Sequence, residues 1–264
     1  MPPLLLSASH VAKSLGGSAK VLPTRIIGDV RFDVRPGEFI SIVGPSGCGK
    51  TTLLMCLAGL MPLDAGEVVF QGQRLTEPSE GIGVVFQDYS RSLLPWRRNI
   101  ANVMFGMRRL DKISKAQKET RARELLDAVG LKGFADHYPW QLSGGMQQRV
   151  AIARALAAQS KMLLLDEPLA AVDAQTRTEM QDLILQIAAQ YQQTCLLVTH
   201  DVDEAIYLAD RVLVLSQRPT QVVRELRIEL PRPRDQLRSR ADPAFLKPRE
   251  EILTLIKSMP KPQA

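Results

Sequence analysis

The chain has 264 residues, which suits one large domain or one core with an inserted subdomain. Its apolar content of 45% and charged content of 23% are typical of a globular protein, and no apolar run approaches the roughly 18 residues of a transmembrane helix. The net charge of +6 does not select a partner, because basic patches can face nucleic acid, anionic lipid or water. The arginines are not interleaved with aromatic residues, so no nucleic acid is expected.

The cysteines and the N-terminus indicate a reducing compartment. Cys48, Cys56 and Cys195 are odd in number and lack metal-ligand spacing. The first residues show no charged region followed by a signal-like apolar stretch. We therefore expect a cytosolic chain that reaches a membrane only through a partner.

Short apolar strands alternate with helical patterns along the chain, which predicts an α/β fold with a largely parallel sheet. A segment at 66–72 is predicted to belong to a smaller antiparallel sheet near the N-terminus. The predicted core strands are 39–43, 84–86, 162–165, 195–198 and 212–215.

The stretch 88–160 interrupts this alternation and predicts an inserted helical subdomain. It contains helical patterns at 114–129 and 144–158 and no convincing strand. After about residue 230 the sequence is rich in proline and arginine, and one further helix is expected at about 249–258. We predict one main domain at 1–230 and a short tail at 231–264.

A glycine-rich turn follows the strand at 39–43 and precedes a helix that opens at Thr51. The turn reads Gly44, Pro45, Ser46, Gly47, Cys48, Gly49, Lys50 and Thr51. This is a P-loop, whose backbone N–H groups and helix N-terminus bind phosphate. Lys50 would bridge the β- and γ-phosphates, and the Thr51 hydroxyl would hold Mg2+. The sequence therefore predicts a nucleoside triphosphate site.

A second glycine turn lies before the helix at 144–158. Ser143 suits an N-cap, and Gly144 and Gly145 would expose backbone N–H groups at the positive end of that helix. An ordinary capped helix is the alternative interpretation.

Acidic and imidazole side chains follow two apolar strands. Asp166 and Glu167 end the strand at 162–165, where Asp166 belongs beside Mg2+ and Glu167 could orient or deprotonate the attacking water. His200 ends the strand at 195–198. It could reach the γ-phosphate or be purely structural.

These motifs in this order resemble the ATP-binding subunits of ABC transporters over roughly residues 5–230. The resemblance implies a RecA-like P-loop NTPase core, an N-terminal antiparallel β subdomain and an inserted α-helical subdomain. It assigns catalysis to Glu167, His200 and Gln87, and Mg2+ to Thr51, Gln87 and Asp166. The ATP-binding positions that it implies are Gly44, Pro45, Ser46, Gly47, Cys48, Gly49, Lys50, Thr51, Thr52, Leu15, Ser143, Gly144, Gly145, Gln147 and Asp173.

The family also implies a head-to-tail homodimer. ATP on the P-loop of one subunit would be covered by the Ser143 turn of the other, and hydrolysis would reopen the dimer. Leu15 stands where the family usually places an aromatic side chain against adenine, so it supplies apolar contact without stacking. The residues before Asp173 read Ala170, Ala171 and Val172, where the family more often has Ser or Gly, then Ala and Leu.

A narrower resemblance, to importers of nitrate, sulfonate and taurine, lies in 91–100, 209–219 and 229–235. Leu93, Leu94, Pro95 and Trp96 stand where the family forms the groove for a permease helix. Packing of Trp96 inside the helical subdomain is the alternative. The implied partners are membrane permease subunits and, indirectly, a periplasmic or extracellular solute-binding protein, with this chain at the cytoplasmic face of the membrane.

Two other classes of protein remain as rival hypotheses. An ABC ATPase acting on nucleic acid or ribosomes usually has long insertions or two ATPase halves, which 264 residues do not accommodate. A P-loop kinase would have no use for the Ser143 turn or His200.

Overall fold

The computed structural model describes residues 3–17, 22–88, 92–170 and 172–260. The chain forms two compact units, one made of Met1–Ser79 with Thr194–Ala264 and the other of Glu80–Gln193. Strands β1 to β10 span Leu6–Leu15, Thr24–Val34, Phe39–Val43, Ala65–Phe70, Gln73–Arg74, Ile82–Val85, Met162–Asp166, Thr194–Val198, Arg211–Leu215 and Thr220–Arg227. Helices α1 to α8 span Lys50–Leu57, Asn99–Gly106, Lys115–Ala128, Gly144–Ala157, Ala174–Gln190, Val202–Leu208, Arg238–Ala241 and Pro243–Ser258.

The first unit is built on a sheet in the order β5-β4-β1-β2-β10-β9-β3-β8. Strands β1, β2, β4 and β5 pair antiparallel, whereas β3 pairs parallel with both β8 and β9. All residues of β3, β8 and β9 are buried, and all but Ser41, Thr194 and Arg211 are apolar, as is typical of strands covered on both faces. The predicted antiparallel sheet and parallel core are both confirmed.

The second unit combines two parallel strands with helices. Strand β6 pairs with β7 so that Val85 stands opposite Leu165. Helices α2, α3 and α4 pack on one another, and α4 also contacts β6. The described residues between 88 and 160 contain helices and no strand, as the sequence predicts. The predicted strand at 84–86 lies slightly earlier, at Ile82–Val85, and Phe86 follows it.

The prediction of a single helix in the tail is wrong. The structure has two, and α8 begins at Pro243, six residues before the predicted start. Pro248 lies inside α8, where proline normally disfavours a helix because it lacks an N–H donor. Burial of Phe245 and Ile252 on either side of it compensates, and Asp242 caps the N-terminus through the Ala244 N–H.

The helices of the described residues are all too short or too polar to cross a membrane.

Candidate nucleotide site

The P-loop of the first unit joins β3 to α1 as predicted. Strand β3 ends at Val43, and α1 begins at Lys50, with Leu53 donating its N–H to the Gly49 carbonyl at 2.8 Å. The turn between them is closed by the Cys48 N–H, which donates to the Pro45 carbonyl. The N-terminal N–H groups of α1 therefore open onto this turn, which is the arrangement that binds phosphate.

Two glycines of the turn are required by its geometry. Gly49 has φ 112°, and a Cβ there would lie 2.5 Å from Ile26 Cγ2. Gly47 has φ 72°, which also favours glycine. Any side chain at Gly49 would be both strained and in collision with Ile26, so the turn depends on this residue.

Lys50 is buried and its ammonium group points back into the turn. Its Nζ donates to the Gly44 carbonyl at 3.0 Å and to the Pro45 carbonyl at 3.1 Å. The turn thus holds the lysine charge in place before a phosphate arrives, which reduces the ordering that binding requires.

The three cysteines are buried free thiols. Burial raises the pKa of Cys48, raises that of Cys56 to about 11 and raises that of Cys195 to about 12. The three thiols are therefore protonated at neutral pH, and none is suited to nucleophilic chemistry.

The remaining predicted residues of the first unit lie at the C-terminal ends of its strands and at the start of α1. Thr51 is exposed and Thr52 is half-buried, in the first turn of α1. Leu15 is half-buried at the end of β1, paired with Thr24. His200 is exposed and follows β8. Because Ile42 pairs in parallel with Val198, His200 and the P-loop both follow the C-terminal ends of neighbouring strands.

In the second unit, two carboxylates end β7. Asp166 is buried, whereas Glu167 is half-buried. Glu167 has φ 42°, a left-handed conformation that is costly for a residue with a side chain. The register of β6 and β7 brings Gln87, which is exposed two residues after β6, to the same edge as these carboxylates.

The second glycine turn is a capped helix N-terminus. The Ser143 hydroxyl accepts a hydrogen bond from the Met146 N–H at 3.4 Å, which confirms the predicted N-cap, and the Gln147 side chain donates to the Leu142 carbonyl. Gly144 is half-buried. Gly145 is buried, and a Cβ there would lie 2.7 Å from Thr176 Cγ2 of α5. The second glycine therefore also allows two helices to approach closely.

Asp173 caps the N-terminus of α5. Its carboxylate accepts from the Thr176 N–H at 3.0 Å, and hydrogen bonds from the Thr176 side chain and then from its N–H hold the pKa of the carboxyl below its ordinary value. The sequence prediction missed this structural role, although a Ser, Thr, Asp or Asn before a helix is the usual signal for it. Ala171 lies outside the described residues.

The predicted groove residues differ in exposure. Leu93 is buried and Leu94 half-buried, whereas Pro95 is exposed and Trp96 is 71% exposed. The alternative that Trp96 packs inside the helical unit is therefore wrong, and Leu93 fills the core instead. Arg91, the first residue of this stretch, lies outside the described residues.

Asn102 holds this segment in shape and was not found from the sequence. Its fully buried side chain accepts from the Leu94 N–H at 2.8 Å and donates to the carbonyls of Leu94 and Arg97. Arg154 of α4 donates to the hydroxyl of Ser92 at 3.0 Å, and burial lowers its pKa. The exposed Trp96 thus stands on a segment fixed by the buried Asn102 and the half-buried Arg154.

Among the described residues, no group of three His, Cys, Asp or Glu side chains forms a metal cluster. The glycine turn after a parallel strand, the lysine folded into it and the carboxylates that end β7 define the class. The chain is a P-loop nucleotide-binding protein.

Comparison with known proteins narrows this class. The model of the ABC transporter family matches residues 27–170. The chain is 44% identical over 250 residues to an aliphatic sulfonates import ATP-binding protein of Xanthomonas axonopodis pv. citri, covering 95% of this chain and 96% of that one. It is 45% identical over 231 residues to a taurine import ATP-binding protein of Yersinia pestis bv. Antiqua, covering 85% and 89%. It is 44% identical over 259 residues to a nitrate import ATP-binding protein of Synechococcus elongatus, covering 96% of this chain but 38% of that relative.

A solved structure supports the same conclusion. It is the dimeric structure of a post-hydrolysis state of an ATP-binding cassette bound to ADP and Pi, with a TM-score of 0.74 and 31% identity over 84% of this chain and 98% of that one. The chain belongs to the ABC transporter family and is one of its ATP-hydrolysing cassettes.

Proposed function

We propose that this chain is the energising subunit of an importer for small anionic or zwitterionic solutes of the nitrate, sulfonate or taurine type. The observation that carries the proposal is the combination of a preformed P-loop with a second capped glycine turn in one chain. A nucleotide on the P-loop uses only that glycine turn of its own subunit. The second glycine turn would therefore cover the nucleotide bound by a second copy of the chain. The names of the sulfonate, taurine and nitrate relatives support the class of solute.

ATP would lie on the P-loop of one subunit and under the Ser143 turn of a second copy. Lys50 would neutralise the β- and γ-phosphates, and Leu15 would contact the adenine. The resemblance assigns Mg2+ to the Thr51 hydroxyl, the Asp166 carboxylate and the Gln87 amide, and oxygen donors of these kinds are the ones that Mg2+ would take. Bound there, the ion would neutralise charge on the phosphates during transfer.

Hydrolysis would proceed by attack of water on the γ-phosphorus, with release of ADP and phosphate. Glu167 would accept a hydrogen bond from the water and take its proton, and His200 would donate to a γ-phosphate oxygen. Loss of the γ-phosphate removes the negative charge that joins the two subunits, so the dimer would reopen and move its membrane partners.

The segment at 92–97 is the proposed docking surface for a permease helix at the cytoplasmic face of the membrane. Pro95 and Trp96 supply exposed apolar area on a backbone that Asn102 fixes, which suits an anchor residue at an interface. A solute-binding protein would act on the permease from the other side. We propose residues 1–230 as the ATPase domain, with the helical subdomain at about 88–160.

Affinity isolation of the tagged chain from detergent-solubilised native membranes tests this proposal. We expect a polytopic membrane protein at about equal stoichiometry, and we expect Trp96→Ala to lose it because the anchor is removed. Trp140→Ala is the matched control, since Trp140 is 69% exposed in the same unit. Isolation of the chain alone, or with nucleic acid that salt removes, would contradict the proposal.

A further inference from the structure

The turn between β9 and β10, residues 216–219, lies directly against the P-loop. The Thr220 hydroxyl donates to the Cys48 carbonyl, and a Cβ at Gly44 would lie 3.0 Å from Leu215 Cβ. Both ends of the turn are thus packed on the P-loop within the first unit.

Arg218 extends from this turn towards the middle of the P-loop. Its Nη2 lies 3.8 Å from the position that a Cβ would take on Gly47, which has φ 72°. Arg218 is exposed and forms no ion pair with a carboxylate of the described residues. Its positive charge reaches the P-loop, since it acts to lower the pKa of the Cys48 thiol against the larger effect of burial.

A guanidinium group without a paired carboxylate, placed beside a phosphate-binding turn, is suited to bind the phosphates of a nucleotide. The phosphates of a nucleotide concentrate negative charge, and the planar fork of arginine matches phosphate oxygens better than an ammonium group does. Lys50 is held inside the turn by two carbonyls, so it cannot supply a second cation on the outside. Gly47 leaves the space between Arg218 and the turn open.

We propose that Arg218 binds a phosphate group of the nucleotide held by the P-loop and increases nucleotide affinity. This inference rests on the proposed ATP site and adds a residue to it.

Calorimetric titration of the full chain with ATP and with ADP tests the inference. We expect Arg218→Ala to weaken both affinities about tenfold and Arg218→Lys to weaken them less, because a charge is kept but the fork is lost. Arg227→Ala is the matched control, since Arg227 is an exposed arginine at the far end of strand β10, which follows the turn that carries Arg218. We expect its affinities to stay within about twofold of the unchanged chain.

Two further measurements separate phosphate binding from support of the loop. Because salt screens exposed charges, the affinity of the Arg218→Ala variant should depend less on salt than that of the unchanged chain. Its thermal unfolding without nucleotide should not change. Unchanged affinity in Arg218→Ala, or a lower unfolding temperature with an unchanged salt dependence, overturns the inference. Failure of the unchanged chain to bind ATP would instead overturn the proposed function.

Discussion

Glu167 combines a strained backbone with a carboxylate at the end of a buried strand. Its φ of 42° is costly for any residue other than glycine, and backbone strain of this kind is concentrated at functional sites. A glutamine has the same shape and would meet the same strain. The substitution Glu167→Gln therefore removes the proton acceptor while leaving the fold unchanged.

We predict that Glu167→Gln lowers ATP turnover by about a hundredfold or more, because an amide cannot take a proton from water. ATP would still bind, so the ATP-joined dimer should accumulate. Phosphate release measures the first effect, and light scattering after gel filtration in MgATP measures the second. Glu80→Gln serves as control, since Glu80 is a well exposed carboxylate of the same unit. Hydrolysis that persists in Glu167→Gln would remove this residue from the role.

At the scale of elements, the C-terminal segment is bound to helix α6, which begins two residues after His200. Arg234 donates to the Tyr207 carbonyl at 2.6 Å and the Ala209 carbonyl at 2.8 Å, and its side chain is 1% exposed. These carbonyls lie at the C-terminal end of the helix, where the last carbonyls generally need donors from outside the helix. Burial lowers the pKa of Arg234 to about 10, so it remains charged at neutral pH.

We predict that Arg234→Met lowers the free energy of unfolding by about 2 kcal/mol or more, since it removes a charged donor from two buried residues. Arg234→Lys should lose less, because one donor can still reach a carbonyl. Chemical unfolding followed by circular dichroism gives these values. Arg238→Met is the control, because Arg238 is exposed on the neighbouring helix α7. Equal stability in Arg234→Met and Arg238→Met would contradict a stabilising role for the hydrogen bonds from Arg234 to the end of α6.

Elements with local signals could be predicted from the sequence, and those fixed by distant partners could not. The P-loop, the N-cap Ser143 and the buried strands carry their signals within a few residues. Arg234 binds carbonyls of residues 25 and 27 positions away, so nothing adjacent in sequence marks it, and Asn102 binds carbonyls of an irregular segment whose shape no local pattern specifies. The start of α8 was misjudged for the same reason, since burial of Phe245 and Ile252 outweighs the local effect of Pro248.

At the scale of the whole molecule, the proposed dimer makes each ATP site from two chains. The P-loop comes from one copy and the Ser143 turn from the other, so a defect in either element damages a site shared with the partner. A head-to-tail pair contains two such sites. Two variants with different defects can therefore form one intact site together, although neither forms one alone.

We predict this complementation for Lys50→Ala mixed with Ser143→Arg, both in the Glu167→Gln background that retains ATP. In the mixed pair, the intact P-loop of the Ser143→Arg copy meets the intact Ser143 turn of the Lys50→Ala copy. With random pairing, half of the dimers are mixed and each has one good site, so retained ATP should reach about a quarter of the Glu167→Gln level. Filter binding of labelled ATP measures it.

Each variant alone, at the same total concentration, is the control and should retain almost no ATP. If each site were instead built within one chain, mixing could not help, because every copy carries a defect in its own site. Retention that stays at the level of the separate variants would thus exclude the head-to-tail arrangement. It would leave the nucleotide-binding role of the P-loop intact, because the Glu167→Gln chain itself would still bind ATP.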